Sequence, residues 1–236
     1  MLPDAIILCG GKGRRLKSVT GTLPKVLVEI NGRPFLDYLI QYLQSQKAGR
    51  IILSTGYAAA AVERHCRRRF PELDLIFSRE RAPLGTGGAV KKASALVRGK
   101  EFFVLNGDSF CRVDLKKMLG FHRRQKAQAT LAVSRVESRN DYGSIRLDRD
   151  FQITAFAEKL SAGRAGYVNA GVYCFQQDIR KLMPKANRFS IERDFFPKLA
   201  GKKFYGFPVK KNFFDIGTPE RLKLAQKVLL KSALNE

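Results

Sequence analysis

Short apolar runs alternate with amphipathic stretches through the first half of the chain. The apolar runs predict β-strands at residues 5–8, 26–30, 51–53, 73–77 and 102–105. The spacing of apolar positions predicts a helix that begins at Pro34, another over residues 58–70, and a third after Gly88. This alternation is typical of an α/β protein, in which helices cover both faces of a mostly parallel sheet.

The pattern changes after about residue 130, where strand-like runs dominate and the helices become shorter. These runs predict strands at residues 130–136, 143–147, 153–156 and 168–175. Ser190 is the expected N-cap of a helical stretch over residues 187–199, and Thr218 that of a last helix beginning at Pro219. Because no linker or internal repeat interrupts the pattern, we interpret residues 1–236 as one continuous domain, with ligands expected at the carboxyl ends of its parallel strands.

The composition of the 236 residues is that of a globular protein, with 44% hydrophobic and 28% charged residues. No apolar run approaches the roughly 18 residues of a membrane span, and the first residues lack the basic segment of a secretory signal. The four cysteines form no CxxC pair, which argues against a zinc site or a disulfide framework. These features predict a cytoplasmic protein without a membrane partner.

A net charge of +23 indicates a protein that handles polyanions. The candidates are nucleic acid and small polyanions such as nucleoside triphosphates and sugar phosphates; for each basic cluster, a solvated surface is the alternative. The clusters lie at residues 64–69, 123–124, 202–203 and 210–211. None accompanies a motif of sequence-specific RNA or DNA recognition, so specific nucleic-acid binding is not expected.

A glycine-rich segment, Gly10-Gly11-Lys12-Gly13-Arg14-Arg15-Leu16, follows the first predicted strand directly, and Pro24-Lys25 comes shortly after it. Glycines let the backbone approach a ligand closely and present N–H groups to a phosphate. The spacing matches neither the dinucleotide fingerprint GxGxxG nor the P-loop. The segment is therefore a tight structural turn or a phosphate site, and Arg15 and Lys25 favour the phosphate site because both can pair with phosphate oxygens.

Together with this loop, six further segments resemble sugar-1-phosphate nucleotidyltransferases, in that family's order and over nearly the whole chain. They are Pro83-Leu-Gly-Thr-Gly-Gly-Ala89, Leu105-Asn-Gly-Asp108, Ala157-Glu-Lys159, Val168-Asn-Ala-Gly-Val-Tyr173, Ser190-Ile-Glu-Arg-Asp194 and Phe214-Asp-Ile-Gly-Thr-Pro219. The resemblance implies a single-domain Rossmann-like fold, with a nucleotide-binding half up to about residue 130 and a sugar-phosphate-binding half after it. It also implies transfer of a nucleotidyl group from a nucleoside triphosphate to a sugar 1-phosphate, with release of pyrophosphate.

The resemblance also assigns roles to individual residues. Arg15, Lys25 and Asp108 are the implied catalytic residues, and Asp108 and Asp215 are implied to hold one Mg²⁺ between the two substrates. The implied nucleotide-binding residues are Leu8, Gly10, Gly11, Gly13, Arg14, Arg15, Lys25, Glu80, Gly85, Thr86 and Gly87. The implied sugar-phosphate ligands are Gly143, Glu158, Lys159, Asn169 and Glu192. Arg14 stands where many members of the family have threonine, and it either adds a charge beside the triphosphate or points into solvent.

The base and the sugar are predicted from fewer residues. Glu80 is either a surface residue between two arginines or the group that reads guanine, because a carboxylate can accept from both N1–H and N2–H₂ of that base. Residues 30–35 and 189–197 resemble enzymes of the family that use GTP and D-glycero-D-manno-heptose 1-phosphate for surface polysaccharide. The alternatives are a uridylyl- or thymidylyltransferase of a hexose or amino-sugar 1-phosphate, and a non-catalytic relative that binds ligand or nucleic acid. The oligomeric state is left open.

Overall fold

A computed structural model describes residues 1–136, 144–157, 165–210 and 213–233. Its strands are β1 (Ala5–Cys9), β2 (Glu29–Ile30), β3 (Arg33–Pro34), β4 (Ile51–Thr55), β5 (Leu75–Arg79), β6 (Glu101–Asn106), β7 (Ser109–Cys111), β8 (Ala129–Val136), β9 (Ser144–Leu147), β10 (Ile153–Ala157), β11 (Gly166–Gln176), β12 (Phe204–Val209) and β13 (Phe213–Asp215). Its α-helices are α1 (Lys17–Thr20), α2 (Phe35–Ser45), α3 (Ala59–Arg69), α4 (Gly85–Ala93), α5 (Leu115–Arg124), α6 (Phe196–Leu199) and α7 (Pro219–Ala233).

The main sheet is parallel in its first half and largely antiparallel in its second. β6, β1, β4 and β5 lie side by side and parallel, with Ile7 of β1 opposite Leu53 of β4 and Leu105 of β6. β11 runs antiparallel to β6, β8 and β9, and β12 pairs in parallel with β8. Helices α2, α3 and α4 connect the parallel strands, as the alternating sequence pattern predicts.

Both faces of the sheet are buried, which explains why its strands are apolar throughout. On β1, Ala5, Ile7 and Cys9 pack with α2 and α3 on one face, while Ile6 packs on the other face beneath α4. The second face also holds a cluster of aromatic rings from β6, β11, α6 and β12: Phe102, Tyr173, Phe175, Phe195, Phe196 and Phe204. Alternate residues of one strand therefore serve two separate cores.

The strand predicted at residues 26–30 is wrong. Residues Lys25–Leu27 form a single 3₁₀ turn, and only Glu29–Ile30 joins a strand ladder, paired with Arg33–Pro34. Val26 is buried against the core although it belongs to no sheet. A short apolar run therefore indicated burial correctly but could not indicate whether the backbone would join a ladder.

Two other elements begin at residues different from those predicted. β5 begins at Leu75, two residues later than predicted, and α4 begins at Gly85 rather than after Gly88. Gly85 has φ of +70°, and a methyl group there would come within 2.5 Å of the Phe189 carbonyl oxygen. The glycines of this segment are thus part of a helix that packs against residues 187–189, instead of a loop that precedes it.

The other predicted elements are confirmed within a few residues, except that Gly143, the first residue of one predicted strand, lies outside the described residues. Ser190 caps as expected, its Oγ accepting from the Arg193 N–H at 3.2 Å, although the turn it opens, Ile191–Phe195, is π-helical before α6 begins. Thr218 Oγ1 accepts from the Arg221 N–H at 3.4 Å at the start of α7. Within the described ranges, no helix is both long enough and apolar enough to cross a bilayer.

His122 on α5 is fully buried and lies between two polar side chains. Its Nδ1 is 2.8 Å from Thr130 Oγ1, and its Nε2 is 3.3 Å from Gln176 Nε2. Burial lowers the pKa of the imidazole from 6.5 to about 4, with the Glu101 carboxylate opposing that shift. The folded state therefore holds His122 neutral over a range in which the unfolded chain would protonate it.

We expect the free energy of unfolding to fall as the pH drops from about 6.5 to about 4, because only the unfolded chain then binds a proton at this site. The contribution of His122 over that window is about 3 kcal/mol. His122→Gln removes it, so urea unfolding of the variant should lose less stability than wild type between neutral pH and pH 4. Parallel pH dependences for the two proteins would contradict the buried, neutral state of His122.

Candidate functional site

A cavity of about 670 Å³ opens at the carboxyl ends of the four parallel strands. Leu8 and the glycine loop line it from the end of β1, Gly56 from β4, Glu80 from β5 and the segment Asn106–Asp108 from β6. The cavity lies at the edge where the sequence predicts that ligands bind. The strands end together because they share one register, so residues that are far apart in the chain surround the same space.

The glycine loop lies close to its neighbours. A methyl group added at Gly10 would come within 2.6 Å of Glu80 Oε1, and one at Gly13, where φ is +58°, within 3.0 Å of the Lys25 side chain. A methyl group at Gly11 would meet no protein atom within 4 Å. Packing therefore explains Gly10 and Gly13, whereas Gly11 leaves exposed backbone facing the cavity, as close approach of a ligand requires.

Lys25 forms an ion pair with Asp108 in the wall of the cavity. Lys25 Nζ donates to Asp108 Oδ2 at 2.7 Å, and the lysine side chain is only 10% exposed while the aspartate is 46% exposed. The 3₁₀ turn after Pro24 places the lysine here, and the turn after β6 places the aspartate. A phosphate entering the cavity would therefore meet a fixed ammonium group beside an accessible carboxylate.

A second cavity of about 890 Å³ adjoins the first. The residues that line both are Pro83, Gly85, Thr86, Asn106, Asp108, Arg188 and Glu192. Arg15, Asn169 and Asp215 line only the second. Two ligands bound side by side would therefore meet at Asp108.

Asp215 reaches this cavity through a small two-stranded sheet. β13 pairs antiparallel with β7, which places Asp215 opposite Ser109, and the Ile216 N–H donates to the Asp108 carbonyl at 2.9 Å. The two aspartates predicted from distant motifs are thus brought to the wall of one cavity. The backbone ladder, which fixes their relative position, is independent of any ligand.

Asp215 has a cationic partner that the sequence did not reveal. Arg221 Nη1 lies 3.2 and 3.1 Å from its two carboxylate oxygens, and the Gly217 N–H donates to Oδ1 at 2.8 Å. Arg221 sits on the first turn of α7, six residues after the aspartate, and lines the second cavity. At the level of the sequence it is one of many basic residues, and nothing there distinguishes it.

The donor set around the two aspartates suits Mg²⁺. Asp108 and Asp215 supply carboxylate oxygens, and the buried Ser109 Oγ between them has no hydrogen-bond partner among the described residues. No group of three or more acidic, histidine or cysteine side chains in the described part of the chain could form a cage. This fits a metal that is held by one or two carboxylates, with substrate phosphates and water as the remaining ligands.

Thr86 and Glu192 link the two halves of the protein. Thr86 Oγ1 donates to Glu192 Oε2 at 2.6 Å, and the same carboxylate oxygen accepts from Ser190 Oγ at 2.9 Å. Thr86 Oγ1 also accepts from the Ile191 N–H at 3.0 Å. Both predicted residues therefore lie at the boundary of the cavities, and the Thr86 hydroxyl fixes the Glu192 carboxylate there.

Asn169 takes part in a second polar network. Its Nδ2 donates to the Tyr173 hydroxyl at 2.9 Å, and its Oδ1 accepts from the Gly171 N–H at 3.0 Å. The Tyr173 hydroxyl donates to Asn106 Oδ1 at 3.3 Å, and burial raises the pKa of Tyr173 well above its usual value. The network orients Asn169 on β11 toward the second cavity and keeps the tyrosine protonated.

Glu80 lies in the cavity wall and is not a surface residue. Its Oε2 accepts from the Leu84 N–H at 3.0 Å, and its Oε1 faces Gly10. Burial raises the pKa of Glu80, while the Leu84 N–H and the charge of Lys92 act in the opposite direction. A half-buried carboxylate at the end of β5 can accept hydrogen bonds from a base held against the glycine loop.

The remaining predicted residues differ in where the structure places them. Arg15 lines the second cavity and not the first. It therefore shares a cavity wall with Asp215 and not with the glycines of the loop. Gly87 lines neither; its N–H donates to the Phe189 carbonyl at 3.0 Å, and a methyl group there would overlap the Phe189 ring. Gly143, Glu158 and Lys159 and the side chain of Arg14 lie outside what the structure describes.

Several lining residues were not predicted. Lys12, Arg81 and Arg188 add cations to the first cavity, and Tyr57 follows Gly56 at the end of β4. Lys12 lies within the glycine loop, so the loop itself could have indicated it. Arg188 reaches the cavities only because residues 187–189 pack on α4, a long-range contact without a local signal.

Comparison with known proteins places these features in one family. A family model described as Nucleotidyl transferase matches residues 4–232. The D-glycero-alpha-D-manno-heptose 1-phosphate guanylyltransferase of Aneurinibacillus thermoaerophilus is 40% identical over 227 residues, which are 96% of this chain and 98% of that one. The mannose-1-phosphate guanylyltransferase of Mycobacterium tuberculosis is 33% identical over 92% of this chain and 62% of its own length. The crystal structure of HddC from Yersinia pseudotuberculosis complexed with GMP-PN is 38% identical, has a TM-score of 0.85 and matches over 97% of this chain and 100% of its own; this likeness confirms the α/β fold.

Replacing Gly11 by alanine tests whether the loop serves a ligand. Because a methyl group at this position meets no protein atom, we expect Gly11→Ala to keep the thermal stability of wild type. Its dissociation constant for a nucleoside triphosphate, measured by calorimetric titration, should rise about tenfold because the methyl group occupies the space above the backbone amides. Gly120→Ala, on α5 and outside both cavities, is the matched control and should bind normally. Unchanged nucleotide affinity in Gly11→Ala would contradict the assignment of the loop.

Proposed function

The chain belongs to the nucleotidyl transferase family, and we propose that it transfers the guanylyl group of GTP to D-glycero-D-manno-heptose 1-phosphate. The reaction class, sugar-1-phosphate nucleotidyl transfer, is that of the family and its relatives. The observation that carries the proposal is the pair of adjoining cavities that meet at Asp108, where Lys25 is held at 2.7 Å. The first cavity would hold the nucleotide and the second the sugar phosphate. This agrees with the predicted division of the domain into a nucleotide-binding half and a sugar-phosphate-binding half.

In the proposed reaction, an oxygen of the sugar 1-phosphate attacks the α-phosphorus of GTP. The new P–O bond forms as the bond between the α- and β-phosphates breaks, and pyrophosphate leaves with the electron pair. The nucleophile is already ionised, so no general base is required and catalysis depends on position and charge.

Residues of both cavities would supply that charge. Lys25 and the amides of the glycine loop would stabilise the triphosphate, and Arg15, on the wall of the second cavity, would face the incoming phosphate. Asp108 and Asp215 would hold Mg²⁺, which when bound neutralises charge between the two phosphates. Lys159 and Glu158, outside the described residues, stay predicted ligands of the sugar phosphate.

Glu80 is the proposed reader of the base. Its carboxylate lines the first cavity beside Gly10 and can accept from the N1–H and N2–H₂ donors of guanine. Both named relatives are guanylyltransferases, and the ligand of the solved relative is a guanine nucleotide by its name. A uracil or thymine base would offer one ring N–H and two carbonyl oxygens, so a carboxylate would repel part of its edge.

Heptose is the proposed sugar because the similarity to the heptose enzyme extends over 98% of that protein. The mannose enzyme is matched over a smaller part of its length, 62%. The product would be a nucleotide-activated heptose, which suits the synthesis of surface polysaccharide. We place the reaction in the cytoplasm, where nucleoside triphosphates are abundant and where the four free, buried cysteines would stay reduced.

Breaking the ion pair of Lys25 and Asp108 tests the proposed chemistry. Lys25→Ala and Asp108→Asn should each lower kcat by about 100-fold or more, because each removes a charged group from the site of phosphoryl transfer. Pyrophosphate release with GTP, Mg²⁺ and the heptose phosphate is the measurement, and thermal unfolding shows whether the variants fold.

The matched control is Glu101→Gln, which breaks another short ion pair, with Arg123 at 2.6 Å, far from the cavities. The Glu101→Gln variant should release pyrophosphate at the wild-type rate. If either cavity variant releases pyrophosphate at a near-normal rate while folded, the role given to the ion pair is wrong.

Substitution of Glu80 tests the base. The Glu80→Gln substitution keeps the shape of the side chain but replaces one of its two acceptor oxygens by a donor NH₂ group. The kcat/KM for GTP should therefore fall by about 10- to 200-fold relative to that for UTP. Glu72→Gln, at an exposed position, is the control. Assays with GTP, UTP, dTTP, CTP and ATP on wild type decide between guanylyl transfer and the alternatives; preference for UTP or dTTP would overturn the choice of guanine.

A further inference from the structure

The end of the molecule opposite the cavities collects basic side chains. Parallel strands connected by helices place every strand amino end and every crossover-helix carboxyl end at the same edge of the sheet. In this protein, the residues that follow α2, the residues that precede β6 and the start of β4 lie at that edge. β8 and β12 also begin at this edge, and β11 ends there, because β11 runs antiparallel to β6 and β8.

We name the exposed cations of this edge the basic end. They are Lys47, Arg98, Lys100, Arg124, Lys126, Arg180, Lys181, Lys202 and Lys203. Cations are favoured at helix carboxyl ends, which explains the residues that follow α2 and α5. The accumulation of all nine at one edge is a result of topology, since they come from five separate segments of the chain.

Hydrogen bonds, most of them between backbone groups, join these segments into one surface. Arg50 Nη2 donates to the Leu96 carbonyl at 2.8 Å, and the Gln177 N–H donates to the Lys100 carbonyl at 2.7 Å. The Gln128 N–H donates to the Lys203 carbonyl at 2.8 Å, and the Gln176 N–H to the Gln128 carbonyl at 3.0 Å. The edge is therefore continuous from the start of β4 to the start of β12.

Some acidic residues of this edge are engaged by cations, whereas Glu72 and Asp74, just before β5, and Asp148 and Asp150, beside the Gln152 that donates to the Lys202 carbonyl, are exposed. Asp4 accepts from Arg50 Nη2 at 2.7 Å and from the Arg98 N–H at 2.8 Å. Glu101 is paired with Arg123 at 2.6 Å, and Asp178 is exposed beside Arg180 and Lys181. The nine cations of the basic end outnumber the exposed acids and supply a part of the net charge of +23.

Two large apolar side chains lie among these cations. Leu96 is 42% exposed, between the start of β4 and Arg98, and Leu182 is 46% exposed, directly after Lys181. Gln177 Nε2 donates to the Ser94 carbonyl at 3.0 Å, so the two leucine-bearing segments are neighbours. Exposed leucines surrounded by lysine and arginine are the pattern of a protein surface that meets an anionic lipid headgroup layer.

In contrast to the sequence-based expectation of no membrane partner, we propose that the basic end docks peripherally on an anionic phospholipid surface, with the leucines entering the headgroup region and the two cavities facing away from it. This inference is independent of the proposed function, since none of its residues lines either cavity. Single-stranded nucleic acid is the less favoured polyanion. Its binding proteins stack bases on several exposed aromatic rings. The large apolar side chains exposed at or next to the basic end are Met1, Leu96, Phe151 and Leu182, and the single ring among them packs against Phe121.

Flotation with vesicles tests the proposal on the full-length protein. Wild type should float with vesicles of phosphatidylglycerol and phosphatidylcholine but not with phosphatidylcholine alone, and raising the salt should release it. The triple variant Lys100→Glu, Lys181→Glu, Lys203→Glu should bind at least about tenfold more weakly. Leu96→Ser with Leu182→Ser should also weaken binding, without any change in net charge.

The matched control reverses three exposed lysines elsewhere, on α5 and α7: Lys116→Glu, Lys223→Glu, Lys227→Glu. It changes the net charge equally and should retain binding. Equal loss in both triple variants would overturn the proposal, since it would mean attraction by overall charge. So would absence of wild-type flotation, or single-stranded RNA that binds more tightly than the vesicles and is unaffected by the leucine substitutions. Thermal unfolding of each variant establishes folding without reference to activity.

Discussion

The ion pair between Lys25 and Asp108 is the interaction on which the functional part of the structure depends. It joins the turn after the glycine loop to the end of β6, across the space where parallel strands end. The lysine is nearly buried, and the aspartate is half exposed. A buried ammonium group requires a carboxylate partner, so the same contact that stabilises the fold also holds both charges at the boundary of the cavities.

Charge in the site is largely compensated before any ligand arrives. Asp108 is paired with Lys25, and Asp215 with Arg221 and the Gly217 N–H. Cations already in place can interact with phosphate oxygens with little reorganisation, which is the condition under which fixed charges stabilise a transition state. Asp108 and Asp215 would hold Mg²⁺, which would supply further positive charge, and Lys25 and Arg221 lie beside them where they can pair with phosphate oxygens.

The two halves of the chain meet through few but specific contacts. The Thr86 hydroxyl holds Glu192 and accepts from the Ile191 N–H, and glycines of α4 allow residues 187–189 to pack against the helix. The helix start that borders the first cavity is therefore fixed by residues of the second half. The Thr86 hydroxyl is thus held by two hydrogen bonds to residues of the second half, at 2.6 Å to Glu192 and 3.0 Å from the Ile191 N–H.

The sequence by itself determined the alternating architecture and the two caps at Ser190 and Thr218, because hydrophobic periodicity and capping residues are local patterns. Most of the predicted site residues came from the resemblance of short motifs to a known family. It could not determine that the apolar run at residues 26–30 would form a buried turn instead of joining the main sheet. Hydrophobicity is a local property of the sequence, whereas strand pairing depends on residues far away in the chain. Nor could it indicate Arg221 or Arg188, which lie at the cavities only through contacts made by the folded chain. Of the 44 basic residues, the sequence singled out Arg14, Arg15, Lys25 and Lys159 for the site; the tertiary structure decided which of the others line the cavities and which collect at the opposite edge, because their placement follows from topology.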